Sequence, residues 1–193
     1  MGSQFSLLTL FADGGLMMYP LVLCSMSSVG VMIAKFFTLR IAHRGTHRVL
    51  VDVDELVLRG DVVGAIEVCR NTPGPASAIL LAGLRRIQGK KLNEGELESA
   101  VSTVGTIELS FLERGLVILA TIANVAPLMG FLGTVYGMVM AFAAIEAAGT
   151  VDPATVAGGI KVALLTTAAG LVIAVPVNIA YNFFVTRIDQ LAV

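Results

Sequence analysis

"VAPLMGFLGTVYGMVMAFAAI" fills residues 125–145 without one charged side chain, yet it carries a proline, three glycines, a threonine and a tyrosine. Glycine and proline are poor helix formers in water, so their regular placement in an oily run needs a cause of its own. Followed outward, the stripe becomes Ala120, Ala123, Pro127, Gly130, Thr134, Gly137, Ala141 and Ala144 at alternating steps of three and four. Leu128, Phe131, Leu132, Val135, Val139 and Phe142 fall on other faces. No hydrophobic force joins helices in lipid. Small residues let backbones approach there, and hydroxyls bond across the contact. Such a face must meet protein or an enclosed cavity. Downstream, Ala163, Thr167, Gly170, Ala174, Asn178 and Asn182 repeat the device beside Leu164, Leu165, Leu171 and Ile173.

Composition agrees that the solvent is a bilayer. Of the 193 residues, 56% are hydrophobic and only 14% charged, against about a quarter charged in a soluble domain. Mean hydropathy is +0.86. A net charge of -1 argues against nucleic acid, which needs a basic surface to neutralise phosphates. Cys24 lies in an apolar run and Cys69 in a charged segment, so no disulfide between them is expected and no metal spacing exists. His43 and His47 lie one helical turn apart but flank arginines just past an apolar run. They read as solvated interfacial positions, and neither metal nor cofactor is expected. The N-terminus shows no basic region and no small-residue cleavage motif before the first apolar run, so that run is expected to act as an uncleaved insertion signal.

Three runs are long enough to span, at roughly twenty residues per bilayer: residues 15–34, 115–145 and 162–186. The second exceeds the ~30 Å hydrocarbon core at ~1.5 Å per residue, so part of it must project. Arg40, Arg44 and Arg48 follow the first run, and Arg85, Arg86, Lys90, Lys91 and Arg114 precede the second. Arg187 follows the third, whereas residues 1–14 hold no Lys or Arg and residues 146–161 hold only Lys161. The positive-inside rule then predicts an outer N-terminal segment (1–14), a first span (15–41) and a cytoplasmic helical region (42–114). A second span (115–147), a short outer loop (148–158), a third span (159–186) and a cytoplasmic tail (187–193) complete the expected order.

The cytoplasmic region reads as helical. "VDVDELVLRGDVVGAIEVCRN" has apolar residues at helical spacing broken by Gly60, which predicts a helix pair, with Arg59–Asp61 a turn rather than an adhesion tripeptide. Pro73 and Pro75 mark the next break, and Asn93 with Glu96 forms a capping-box pattern. No proline follows until Pro127, so one helix is expected to run from there into the second span. The predicted class is an all-α integral membrane protein with three transmembrane helices, helices two and three extending into the cytoplasm, and a cytoplasmic helical hairpin.

Three spans offer the glycine stripe of the second span fewer partners than it needs, which predicts oligomerisation about a central axis. Most of its glycines read as packing positions. A mid-span threonine often bonds its own preceding carbonyl at little cost, so Thr134 and Thr167 stay open between packing and function. A proton path needs a group that titrates within the membrane. Asp13, Glu113, Glu146 and Asp189 all lie at span edges. If the chain conducts, a second polypeptide must bring the acid.

"NVAPLMGFLGTVYGMVMAF" (124–142) and "GGIKVALLTTAAGLVIAVPVNIAYNFF" (158–184) resemble the two signature spans of the ExbB/TolQ/MotA family of proton-channel subunits. "GGLMMYPLVLCS" (14–25) and "GDVVGAIEVCRNTPGPASAILLAGL" (60–84) resemble the first span and cytoplasmic hairpin of its ExbB/TolQ branch, whose three spans fit better than the four of the flagellar stator subunit. The resemblance implies a pentamer in a bacterial inner membrane, with spans two and three lining a central pore. Helices of an ExbD/TolR-like single-span partner would sit in that pore and supply the membrane aspartate. Proton flow would then drive work on the cell envelope, through a TonB- or Pal-like protein for instance. Within the same family, a non-conducting scaffold or a divergent gliding- or secretion-type motor subunit is the alternative.

By motif position, Thr134 and Thr167 correspond to the family's pore-facing threonines, and Pro127 and Pro176 to its helix prolines. Thr166 and Asn178 join the expected proton pathway; Gly130, Gly133, Gly137 and Gly170 join the packing and hinge positions. Glu146 and Lys161 are the expected rim or pore-mouth charges, with Lys161 pairing Glu146 or Asp152. In one respect the chain departs from the family's pattern. Where the family commonly reads G-I-A-E-A-L-L, this sequence reads "GIKVALL", with Val162 in the glutamate's place.

Overall fold

A computed structural model describes residues 7–88 and 94–192, except the side chains of residues 7, 8, 10, 43, 44, 47, 94, 191 and 192. The expected roles of Lys90, Lys91 and Asn93, and of the His43 and His47 side chains, therefore fall outside the described residues. The described chain is helical throughout: α1 (Leu7–Asp13), a 3-10 turn (Gly15–Met17), α2 (Met18–Leu58), α3 (Val62–Asn71), α4 (Pro75–Ile87), α5 (Glu94–Glu113), α6 (Leu116–Ala148) and α7 (Pro153–Ala192). Three segments are long and apolar enough to cross a membrane, Gly15–Ala42, Leu116–Ala148 and Pro153–Gln190, with mean hydropathies of 1.8, 2.0 and 2.1. This is a multi-pass membrane protein.

Local chemistry sets the helix ends. Pro75 and Pro153 open α4 and α7, where the missing N–H costs nothing and the fixed φ suits a first turn. Asp61 caps α3 by accepting the Gly64 N–H at 2.9 Å. Asp152 receives the N–H groups of Ala154 and Thr155 at 3.2 and 3.1 Å and the Thr155 hydroxyl at 2.8 Å. Those hydrogen bonds, the hydroxyl's foremost, hold its carboxyl below the usual carboxylate range.

The continuous helix expected from the α5 region into the second span does not form. Arg114 and Gly115 make a turn between α5 and α6, with Gly115 at φ +88°. A residue in that left-handed region cannot carry an α-helix onward, and glycine adopts it without strain. The long uninterrupted helices are instead α2, of 41 residues, and α7, of 40.

The contacts divide the chain into two units. One comprises Met1–Met32 and Val117–Asn182, the other Ile33–Leu116 and Phe183–Val193. The core of the second holds Val49, Val53, Ala65, Cys69 and Leu84, wrapped by Leu56, Val62, Ile66, Val68, Leu80 and Leu81. Cys24 and Cys69 are both free thiols, and burial pushes the Cys69 thiol up from its ordinary value. In the same unit Lys35 is buried, and its ammonium donates to the Leu112 carbonyl at 2.7 Å.

Candidate functional site

Helices α6 and α7 meet along glycine. A Cβ built on Gly130 would come within 2.9 Å of the Thr166 carbonyl, and one on Gly137 within 2.9 Å of the Gly159 carbonyl. One on Gly170 would lie 2.6 Å from the Ala126 carbonyl. As α6 numbers rise the facing α7 numbers fall, so the pair is antiparallel. Backbones this close are what a stripe of small residues permits.

The glycines of the stripe thus lie against α7 within the chain. The physical reason is a matching stripe on α7: Gly159, Ala163, Thr166 and Gly170 supply small surfaces in register with Gly130, Gly133 and Gly137. Thr166, expected on the ion pathway, is fully buried beneath Gly133. Its hydroxyl donates to the carbonyls of Val162 and Ala163, each at 3.0 Å, so it is satisfied within its own helix.

The other polar candidates lie beside the seam. Successive residues turn about 100° around a helix. On α6, Thr134, Pro127 and Asn124 therefore sit roughly 40°, 60° and 120° from Gly130. On α7, Thr167, Asn178 and Asn182 sit roughly 60°, 80° and 120° from Gly170 in the same rotational sense. In an antiparallel pair these two rotations lead to the same side, so the polar residues share one flank. Thr167 is half-buried and donates to Gly130 O at 3.3 Å and Ala163 O at 3.2 Å. The half-buried Thr134 bonds the Phe131 carbonyl at 2.6 Å. Asn124, Asn178 and Asn182 are exposed; the Asn124 amide donates to Ala120 O at 2.8 Å, and that of Asn182 to Asn178 Oδ1 at 3.1 Å. Asn182, read from sequence as part of the third span's stripe, and Asn124, which that reading did not name as a site residue, belong to this flank by their angle. Val162 turns roughly 80° the other way from Gly170.

Pro127 and Pro176 both lie inside their helices. Lys161 is roughly opposite the seam on α7. It pairs at 2.5 Å with Asp13, at the end of α1, rather than with Glu146 or Asp152. Asp152 is occupied in capping α7, and Glu146 stands exposed near the end of α6. Among the described residues no group of three or more His, Cys, Asp or Glu side chains could hold a metal ion.

An antiparallel pair of membrane-spanning helices with a glycine seam and a polar flank defines a helix-packed, multi-pass membrane protein. Residues 71–193 match the MotA/TolQ/ExbB proton channel family, and the chain belongs to that family. A biopolymer transport ExbB homologue of Methanothermobacter thermautotrophicus is 32% identical over 186 residues, 96% of this chain and 65% of that protein. The biopolymer transport protein ExbB of Salmonella typhimurium is 40% identical over 110 residues, 53% of this chain and 43% of its own length. That of Aquifex aeolicus is 42% identical over 79 residues, 41% of this chain and 53% of its own. The chain thus covers 65% of the first relative and less of the other two, and its likeness lies with the ExbB branch.

Proposed function

We propose that the chain is an ExbB/TolQ-like subunit of an ion-driven membrane motor, with the polar flank of α6 and α7 lining its conducting path. One observation carries this reading. Asn124, Asn178 and Asn182 are exposed within apolar spans, on the same flank as Thr134 and Thr167. Polar side chains within spans ordinarily face protein or a water-filled cavity rather than acyl chains, which supports this flank meeting water or another polypeptide. Because no span carries a carboxylate at mid-depth, the titrating acid comes from a single-span partner of the ExbD/TolR kind. Several copies, five in the family arrangement, surround that partner, with the N-terminus outside and the C-terminus in the cytoplasm. The proton-motive force is thereby converted into work on the cell envelope.

Val162 in place of a glutamate favours one other reading within the family, a scaffold that holds the partner without conducting. Both are tested by reconstituting the chain with its partner in liposomes and following proton entry with a pH-sensitive dye. Protonophore-sensitive flux that falls at least tenfold in Thr134→Val or Asn178→Leu, with the oligomer intact by size-exclusion chromatography, supports conduction. Normal flux in both variants would remove the flank from the path, and no flux in the wild type would leave the scaffold.

A further inference from the structure

Within the second unit, α4 and α5 flank an open groove of about 740 Å³ lined by Arg85, Arg86, Glu96, Ser99 and Thr103 over a floor of Ala82, Gly95, Ala100 and Val104. Arg85 and Arg86 form the last turn of α4 and are exposed, so their guanidinia are open to a ligand. Among the described side chains no carboxylate forms a salt bridge with either arginine. On the α5 side, the Thr103 hydroxyl donates to the Ser99 carbonyl at 2.7 Å.

We propose that this groove docks an acidic segment of a partner protein, separately from the conducting path. A guanidinium fork binds a carboxylate in a planar, bidentate way that a lysine cannot reproduce. The volume suits several side chains rather than a single small ion. Glu96 on the rim opposes a dense phosphate cluster but tolerates a peptide, whose backbone N–H groups can face it. The groove therefore selects an extended chain that brings carboxylates to the arginines. The inference holds whether or not the polar flank conducts.

The test uses the full chain purified in detergent and a fluorescein-labelled hexaglutamate peptide, read by fluorescence anisotropy. Saturable binding should weaken about tenfold in Arg85→Ala/Arg86→Ala, the scale of one charge-assisted contact. Arg48→Ala and Arg70→Ala, exposed arginines of the same unit outside the groove, should leave it unchanged. Ala100→Leu keeps every charge but fills the floor, and should weaken binding too; it serves as well if the arginine variant does not fold by circular dichroism. Equal losses in Arg48→Ala or Arg70→Ala, or full binding by Ala100→Leu, would reduce the effect to diffuse attraction and overturn the proposal. Displacement of the peptide by millimolar inorganic phosphate would overturn it in favour of a bare oxyanion site.

Discussion

Gly133 lies against Thr166 so closely that a methyl on the glycine would sit 2.5 Å from the threonine Cβ, well short of van der Waals contact distance. Thr166 is fully buried and its hydroxyl is tied to two carbonyls of its own helix, so it cannot swing away. Gly133→Ala should therefore part α6 from α7 at a cost of about 1–3 kcal/mol, the usual range for overpacking. Gly30→Ala is the comparison, since nothing lies within 4 Å of a Cβ there, and it should cost nothing. Thermal unfolding of the detergent-solubilised protein measures both. Equal midpoints for Gly133→Ala and wild type would mean the helices are not held at this distance.

The seam shows how far the sequence could be read. Its periodicity was visible because lipid strips helix contacts down to packing, which leaves small residues as the only legible mark. Which helix covers it was not visible, since a stripe gives a face without a partner. The matching register of Gly159, Ala163, Thr166 and Gly170 emerges only when both helices are in place. Gly115 escaped notice for a related reason: glycine is common in membrane helices, and only a positive φ separates a break from a packing position. The pair between Asp13 and Lys161 joins residues 148 apart in sequence, beyond any local rule. The polar flank became readable once the seam fixed the zero of angle for both helices.

Asp152 makes the start of α7 sensitive to acid. Its carboxyl titrates below the ordinary 3.8 because the charged form accepts the Thr155 hydroxyl and the N–H groups of Ala154 and Thr155. A pKa lower in the folded than in the unfolded chain gives stability that is complete above the unfolded value. That stability is lost as pH falls through the folded one. Circular dichroism between pH 6 and pH 2 should show the start of α7 loosening on the acid side, and Asp152→Asn should flatten that dependence. A wild-type profile identical to that of Asp152→Asn would mean the cap contributes nothing.

Cys69 should be chemically quiet. It is buried in the core with Val49, Val53, Ala65 and Leu84, and burial raises its thiol above the usual 9.0. At neutral pH less than about 1% is then thiolate, the reactive form. In a Cys24→Ser background, iodoacetamide should label the native protein at least tenfold more slowly than the urea-unfolded chain. Comparable rates in the two states would place Cys69 at an open surface.

Lys35 ties α2 to the end of α5, beside the break at Gly115. The last four carbonyls of a helix lack partners within it. Leu112, one residue from the end of α5, gives its carbonyl to the Lys35 ammonium at 2.7 Å. A cation there also complements the negative end of the helix dipole. Lys35→Met keeps the length of the stem but leaves this carbonyl bare, at a cost of about 1–3 kcal/mol. Release of the ammonium from its buried position offsets part of that cost in global stability, so the effect should be local. Hydrogen exchange at residues 112–117 should speed about tenfold, as 1.4 kcal/mol of easier opening requires, while Lys161→Met leaves this stretch unchanged. Unaltered protection in Lys35→Met would show that Gly115 alone holds the elbow.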